Sequence, residues 1–256
     1  GTMFKRIKIA KPIKFILGTV VIFSLIAFES KEYEAETCKN ISIVINNQLN
    51  NYYLDRQDIL SLVNKGGEDM LIGQSFNEIN LKEIESRILI SPYVREVQVY
   101  KDLKGNLIVT AELRKPVARV MNKNGSDAYI SEEGVFLPVS HKFNSRVVLL
   151  SGAGAESLIS DEKVIQESNQ ALFDMINYVN ADEFWRAQIA QIDIDKNGEV
   201  LLYPQVTKQL VEFGQIEKME DKFKKLKIFY KRILPLKGWN YYDKVNLKYE
   251  GQIIAD

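Results

Sequence analysis

Three stretches of this 256-residue sequence carry residue types that could do chemistry. Asp193-Ile194-Asp195-Lys196-Asn197-Gly198 opens like a calcium loop, with alternating oxygen ligands ahead of a glycine. The twelfth position of such a loop should be a bidentate glutamate, and here it is Pro204. The alternation on either side reads instead as a hairpin turning at Asn197-Gly198. Ser151-Gly152-Ala153-Gly154-Ala155 lies between a strand and a helix, where a phosphate loop would be. It lacks the Gly-Lys-Ser/Thr ending and the third glycine of the phosphate fingerprints, so it reads as a connection. The last helix carries Lys222, Lys224, Lys225, Lys227, Lys231 and Arg232, a face that could meet acidic lipid or nucleic acid. Opposite an apolar stripe, the same face reads as a solvated one.

Composition narrows the field further. Lys and Arg total 34 and so do Asp and Glu, a balance that argues against nucleic acid, which selects a basic surface. The single histidine, His141, falls in a loop with no acid to orient it, which disfavours histidine metal sites and Ser-His-Asp triads. The single cysteine, Cys38, gives no internal disulfide. A cell-wall hydrolase would need paired carboxylates or a metal cleft, and no residues single one out. No catalytic, metal or cofactor site is therefore expected, and the chain reads as a binding or scaffold protein.

The elements around these stretches begin with an N-terminal charge pattern. Lys5, Arg6, Lys8, Lys11 and Lys14 precede an apolar run containing Phe15, Ile16, Leu17, Val20, Val21, Ile22, Phe23, Leu25, Ile26 and Phe28. Glu29, Glu32, Glu34 and Glu36 follow. Counted from Ile13 the run spans about 16 residues, or roughly 24 Å of helix, which Lys11 and Lys14 can extend by snorkelling. Ala27-Phe28-Glu29-Ser30 is a poor cleavage site, so the run reads as an uncleaved anchor. The basic side marks the cytoplasm, and the chain after Ser30 is exported.

Beyond a charged stalk, Ile41, Ile43 and Ile45 predict a strand. Asp55 precedes one helix, with Ile59, Leu60 and Val63 at helical spacing and Gly66-Gly67 as the stop. Asn80 and Glu83 open a second, with Leu81, Ile84 and Ile88 on one face. Ser91 to Ala118 then reads as an antiparallel hairpin. Val97 and Val99 on one arm face inward with Leu107, Val109, Ala111 and Leu113 on the other, and Gly105 sits in the turn. After Pro116 come short strands, a helix over about 161–180, a hairpin around Asn197-Gly198, a strand at 209–213 and a last helix near 219–234. Lys244–Tyr249 and Gln252–Ala255 close the chain. The fold class is α+β: an N-terminal transmembrane helix, a β-α-α-β-β unit, then a mainly antiparallel β domain with two helices.

That β-α-α-β-β order resembles a POTRA module, and Ser91-Pro92-Tyr93-Val94-Arg95-Glu96-Val97 resembles its lead into the central hairpin. Glu112-Leu113-Arg114-Lys115-Pro116-Val117-Ala118 is similar to the E-R-x-P-x-A junction of the FtsQ/DivIB cell-division family, with Leu113 as an extra residue. Tyr129–Phe136 is similar to its D-x-x-G hairpin with Ser131 in place of aspartate, Leu149-Leu150-Ser151-Gly152 to its L-x-G step, and Val245–Tyr249 to its V-D-L-R-Y with Asn246 replacing aspartate. Tyr100–Gly105 departs from the family's Arg-x-Trp/Phe-Pro tip. The resemblance implies a cytoplasmic tail (1–12), transmembrane helix (13–28), stalk (29–39), POTRA domain (40–115) and β domain (116–256). It implies a non-enzymatic divisome component of the bacterial cytoplasmic membrane at the division septum. Such a component holds FtsB/DivIC- and FtsL-type partners, with FtsW/FtsI-type proteins reached through the POTRA unit. The alternative is a POTRA-bearing part of protein export or outer-membrane assembly, although 140-odd residues of helix-interrupted β make a poor barrel.

The resemblance puts the partner site on the closing strand. Lys248 would offer charge to an acidic partner helix, Tyr249 would anchor an apolar pocket and Gly251 would allow close backbone approach. Backbone groups around Gln252 would pair with an added strand on an edge that bears Ile253 and Ile254.

Overall fold

The structure is a computed structural model, and it describes residues 19, 20, 22, 24, 36–46, 53–68, 70–142, 144–159 and 169–256. These fall into two compact units, one drawn from Gly1–Ile45, Arg56–Leu89 and Val97–Ala111, the other from Asn46–Asp55, Ile90–Glu96 and Glu112–Asp256.

The first unit follows the expected order: β1 (Asn40–Asn46), α1 (Arg56–Val63), α2 (Leu81–Leu89), β2 (Val94–Lys101) and β3 (Asn106–Leu113), with a single 3-10 turn at Lys65–Gly67. Its three strands lie in the order β1-β3-β2. Period-2 patterning works as anticipated, burying Val97 and Val99 on β2 and Leu107, Val109, Ala111 and Leu113 on β3. The Asp102 carboxylate accepts the N–H groups of Lys104 and Asn106, both at 2.8 Å, while Gly105 takes φ +82. Asn80 Oδ1 accepts the Glu83 N–H at 3.2 Å, the forward half of the expected capping box. Glu83 does not complete it, pairing instead with Lys65 at 3.3 Å and Arg87 at 3.4 Å. Arg87 in turn donates to the Val63 carbonyl at 3.0 Å, satisfying an orphan acceptor at the C-terminus of α1.

The second unit is built on nine strands: β4 (Pro116–Val120), β5 (Ala128–Ser131), β6 (Phe136–Pro138), β7 (Val148–Ser151), β8 (Ile189–Ile194), β9 (Val200–Pro204), β10 (Leu210–Gly214), β11 (Lys244–Asn246) and β12 (Ile254–Ala255). Their order is β12-β11-β10-β9-β8-β7-β4-β5-β6. The sheet is more mixed than the sequence suggests, because β4–β7, β7–β8 and β10–β11 pair in parallel. Each parallel pair needs a long crossover, and helices supply the later ones.

Those helices exceed the expected two. They are α3 (Ala153–Glu156), α4 (Gln170–Ala181), α5 (Glu183–Gln188), α6 (Met219–Ile228) and α7 (Leu234–Lys237), with a π-helical stretch, Phe229–Ile233, joining the last two. The start of the helix expected from 161 lies outside the described residues. α5 begins at Asp182, whose carboxylate accepts the Phe184 N–H at 2.8 Å. It buries Trp185 against Phe223, ring centroids 4.9 Å apart. The π turn shifts the last helix's inward stripe: Phe223, Leu226, Phe229, Tyr230 and Leu234 are buried, and Ile233 is only partly so.

The two glycine motifs prove structural. A Cβ on Gly152 would stand 2.2 Å from the Ile194 carbonyl oxygen, and one on Gly154 would stand 2.4 Å from that of Asp195, so both glycines let α3 lie against the end of β8. The calcium-like stretch is the β8–β9 turn, where Asp195 Oδ1 accepts the N–H groups of Asn197 at 2.7 Å and Glu199 at 2.9 Å. Among the described residues no group of His, Cys, Asp and Glu could hold a metal ion.

Among the same residues no helix is long and apolar enough to cross a membrane. Of the expected anchor, only Val20 and Ile22 are described, both helical and exposed. Phe15, Ile16, Leu17, Val21, Phe23, Leu25, Ile26 and Phe28 lie outside the described residues, as do Lys5, Arg6, Lys8, Lys11 and Lys14.

Candidate partner-binding edge

The C-terminal residues form the outermost strand of the nine-stranded sheet. β12 pairs antiparallel with β11, Val245 opposite Ala255 and Asn246 opposite Ile254. The pairing is clamped at Asp256, whose carbonyl accepts the Lys244 N–H at 3.1 Å and whose N–H reaches the Lys244 carbonyl at 3.2 Å. In such a ladder the intervening residue turns its main chain the other way, so the N–H and C=O of Ala255 point away from β11.

The expected site residues divide. The strand predicted over Lys244–Tyr249 ends at Asn246, which leaves Lys248, Tyr249 and Gly251 in the connection to β12. Gly251 takes φ +69, the left-handed conformation that reverses the chain. Ile253 packs against the core, whereas Ile254 is 45 % exposed. Tyr249 is 51 % exposed, a large amphipathic ring free to meet a ligand. Lys248 is held by Glu199 at 2.8 Å, and that carboxylate keeps its ammonium above the usual lysine range. Exposed Gln252 takes part through its main chain, its carbonyl accepting from Lys225.

The lysine face of the last helix is less solvated than its pattern suggests. Lys225 Nζ donates to the carbonyls of Tyr249 at 2.9 Å and Gln252 at 3.4 Å. Lys222 Nζ donates to those of Phe213 at 2.9 Å and Gln215 at 2.8 Å, and burial pulls its pKa down. Lys218 pairs with Glu250, and Lys227 with Asp182 at 2.6 Å. Lys218 and Lys225 tie the helix to the C-terminal turn, Lys222 ties it to the end of β10 and Lys227 to the start of α5, and partners of this kind leave no periodic trace in a sequence.

Between α6 and residues 247–251 lies a groove of about 910 Å³. Exposed Ile228 and Tyr249 give it apolar surface, while Lys218, Lys222, Lys224, Lys225 and Lys248 outnumber Glu217, Asp221 and Glu250 around it. An apolar floor within a net positive rim, next to an open strand edge, can seat a segment bearing both apolar and acidic side chains.

Two of the other edges present less. Edge strand β2 has its Val99 N–H taken by Glu85 Oε1 at 2.8 Å, and β6 is a three-residue strand ending in Pro138.

A model of the POTRA-like domain matches residues 36–112. No curated protein matches the sequence. The model described as FtsQ/DivIB, C-terminal related, matches residues 115–256, more than half of the chain, and with this fold in place the chain belongs to the FtsQ/DivIB family, a group of non-catalytic divisome scaffolds.

Proposed function

We propose that this chain is a non-enzymatic scaffold of the bacterial divisome. In this reading it is held in the cytoplasmic membrane by its N-terminal apolar run, with the N-terminus in the cytoplasm and the two later domains outside. It links septal peptidoglycan synthesis to division by binding FtsB/DivIC- and FtsL-type partners, and FtsW/FtsI-type proteins through the POTRA unit. The observation that carries the reading is the pairing of β12 on one side only, beside a lysine-rimmed groove. A partner strand added along β12 would take up the main-chain groups of Ala255 and cover Ile254. An acidic, amphipathic stretch preceding that strand would lie in the groove against Tyr249 and Lys248. Co-purification of FtsB/DivIC- and FtsL-type proteins with the full chain tests this. Retention by the intact chain and loss on truncation after Gly251, with the melt preserved, supports it; equal retention by both would refute the edge assignment.

A further inference from the structure

The first unit exposes apolar side chains at one end. Leu103, in the β2–β3 turn, is 101 % exposed, Met70 is 80 % exposed and Ile72 is 59 % exposed. One strip of chain, Thr37–Lys39, joins the two loops that bear them. The Cys38 carbonyl accepts the Gly73 N–H at 2.7 Å, and Lys39 donates its N–H to the Gly105 carbonyl at 2.9 Å. Lys39 Nζ also donates to the Lys104 carbonyl at 3.1 Å. Both loops therefore sit where the chain comes into the unit, beside the start of β1.

The placement matters because of what precedes Thr37. Only residues 29–35 separate Phe28, the last residue of the apolar run, from Glu36. Seven residues reach at most about 25 Å fully extended. If the run spans a bilayer, this end of the unit is tethered within that distance of the membrane surface. We propose that the 70–74 loop and the Leu103 turn rest in the headgroup layer, with Leu103, Met70 and Ile72 reaching the acyl boundary.

The surrounding chemistry suits that occupant. Isolated exposed apolar residues are ordinary, but several at one end of a small unit mark a contact surface. Lys104 sits in the turn beside Leu103, a long side chain that can hold an ammonium at phosphate level while the stem stays apolar, whereas Lys101 is paired with Glu36. The one carboxylate within the turn, Asp102, is turned inward onto the N–H groups of Lys104 and Asn106, and the Asn106 contacts hold its pKa below the usual carboxylate range. Docking here would restrain the unit beside its own anchor.

The inference rests on the anchor reading, and the test separates the two. Leu103→Cys is labelled with an environment-sensitive fluorophore in the full chain, reconstituted into nanodiscs of phosphatidylcholine and phosphatidylglycerol. Cys38 is 1 % exposed and escapes native labelling. The reference is Arg95→Cys, six residues back along β2 from Lys101 and roughly 20 Å away. The expected result is a blue-shifted spectrum at position 103, quenched by brominated lipid at least twofold more strongly than at position 95. Equal, water-like spectra from chains that co-purify with the discs would overturn the proposal and leave the anchor standing. Chains that fail to co-purify with the discs would overturn the anchor reading and the proposal with it.

Discussion

Tyr53 stacks on Tyr93, ring centroids 5.2 Å apart and planes 9° from parallel, and meets Tyr129 edge-on at 5.9 Å. Tyr53 is 2 % exposed and Tyr129 fully buried, and Leu137 completes the cluster. Burial, the main cause, pushes the Tyr53 phenol far above its ordinary pKa. The stack holds Tyr53 in the second unit, although in sequence it lies between parts of the first. Tyr53→Ala should cost about 3 kcal/mol, combining a large buried ring with an aromatic pair. Urea titration of the full chain measures it, and a loss below about 1 kcal/mol would mean the segment is only loosely attached.

At Gly152 the backbone adopts φ +91 and any side chain meets the Ile194 carbonyl. Gly152→Ala combines a glycine-only conformation with overpacking, and should destabilise by roughly 3 kcal/mol. The same titration checks it, and a neutral result would show that α3 can retreat from β8.

Tyr249→Ala removes an exposed ring and should leave the melting temperature within about 2 °C. On the proposed reading, with the ring as an anchor of the interface, affinity for an FtsB/DivIC-type partner should fall by roughly 2 kcal/mol, or thirtyfold. Isothermal titration alongside a thermal melt distinguishes this from a folding role, since a large drop in melting temperature with affinity intact would place Tyr249 in the scaffold.

Lys225→Met keeps the stem and removes the amine that holds the carbonyls of Tyr249 and Gln252. Amide exchange across residues 249–256 should quicken about tenfold, the equivalent of about 1.4 kcal/mol for the two exposed bonds lost. Unchanged exchange would mean that the ladder to β11 alone holds the strand.

Acid should destabilise the second unit through its low-pKa carboxylates. Asp127 is penalised by burial, yet the Asn122 N–H at 3.0 Å and the Arg119 guanidinium at 2.7 Å bring its pKa below the ordinary 3.8. Lys227 does the same for Asp182. A pKa lower in the folded state means the unfolded chain binds more protons, so the stabilisation is complete above the ordinary carboxylate value and disappears as pH falls through the folded one. Melting temperature should therefore drop below about pH 4, and Asp127→Asn should flatten that slope. Parallel pH profiles for the two proteins would refute the assignment.

The parts legible in sequence are those whose signal is local. The β2–β3 hairpin alternates with period two, and its turn carries Asp102 and Gly105 where the geometry needs them. The β8–β9 turn reads equally well at Asn197-Gly198. Parallel pairing left no such mark, because partners such as Leu149 and Gln191 are far apart in the chain. α5 is too short to show helical periodicity, and Asp182 as its cap is visible only once Phe184 is seen bonded to it. At the edge, two adjacent β-branched residues marked Ile253 and Ile254 together, while the pleat of the strand sends one inward and leaves the other exposed. On the last helix Lys224, Lys231 and Arg232 are exposed as their pattern suggests, whereas Lys222 and Lys225 bond carbonyls contributed by other elements, which the pattern does not mark.

The parallel pairs bear on how the second unit forms. Ala118 must find Val148, Leu149 must find Gln191 and Leu210 must find Lys244, partners roughly thirty or more residues apart. Each closure spends chain entropy before its hydrogen bonds return anything, so assembly of this sheet is slow compared with a hairpin. During that interval the β4–β5 and β8–β9 hairpins keep open the edges that will face β7, and β7 itself has no local partner. Folding of the second unit is thus in kinetic competition with aggregation, and its yield depends on how quickly those three closures occur.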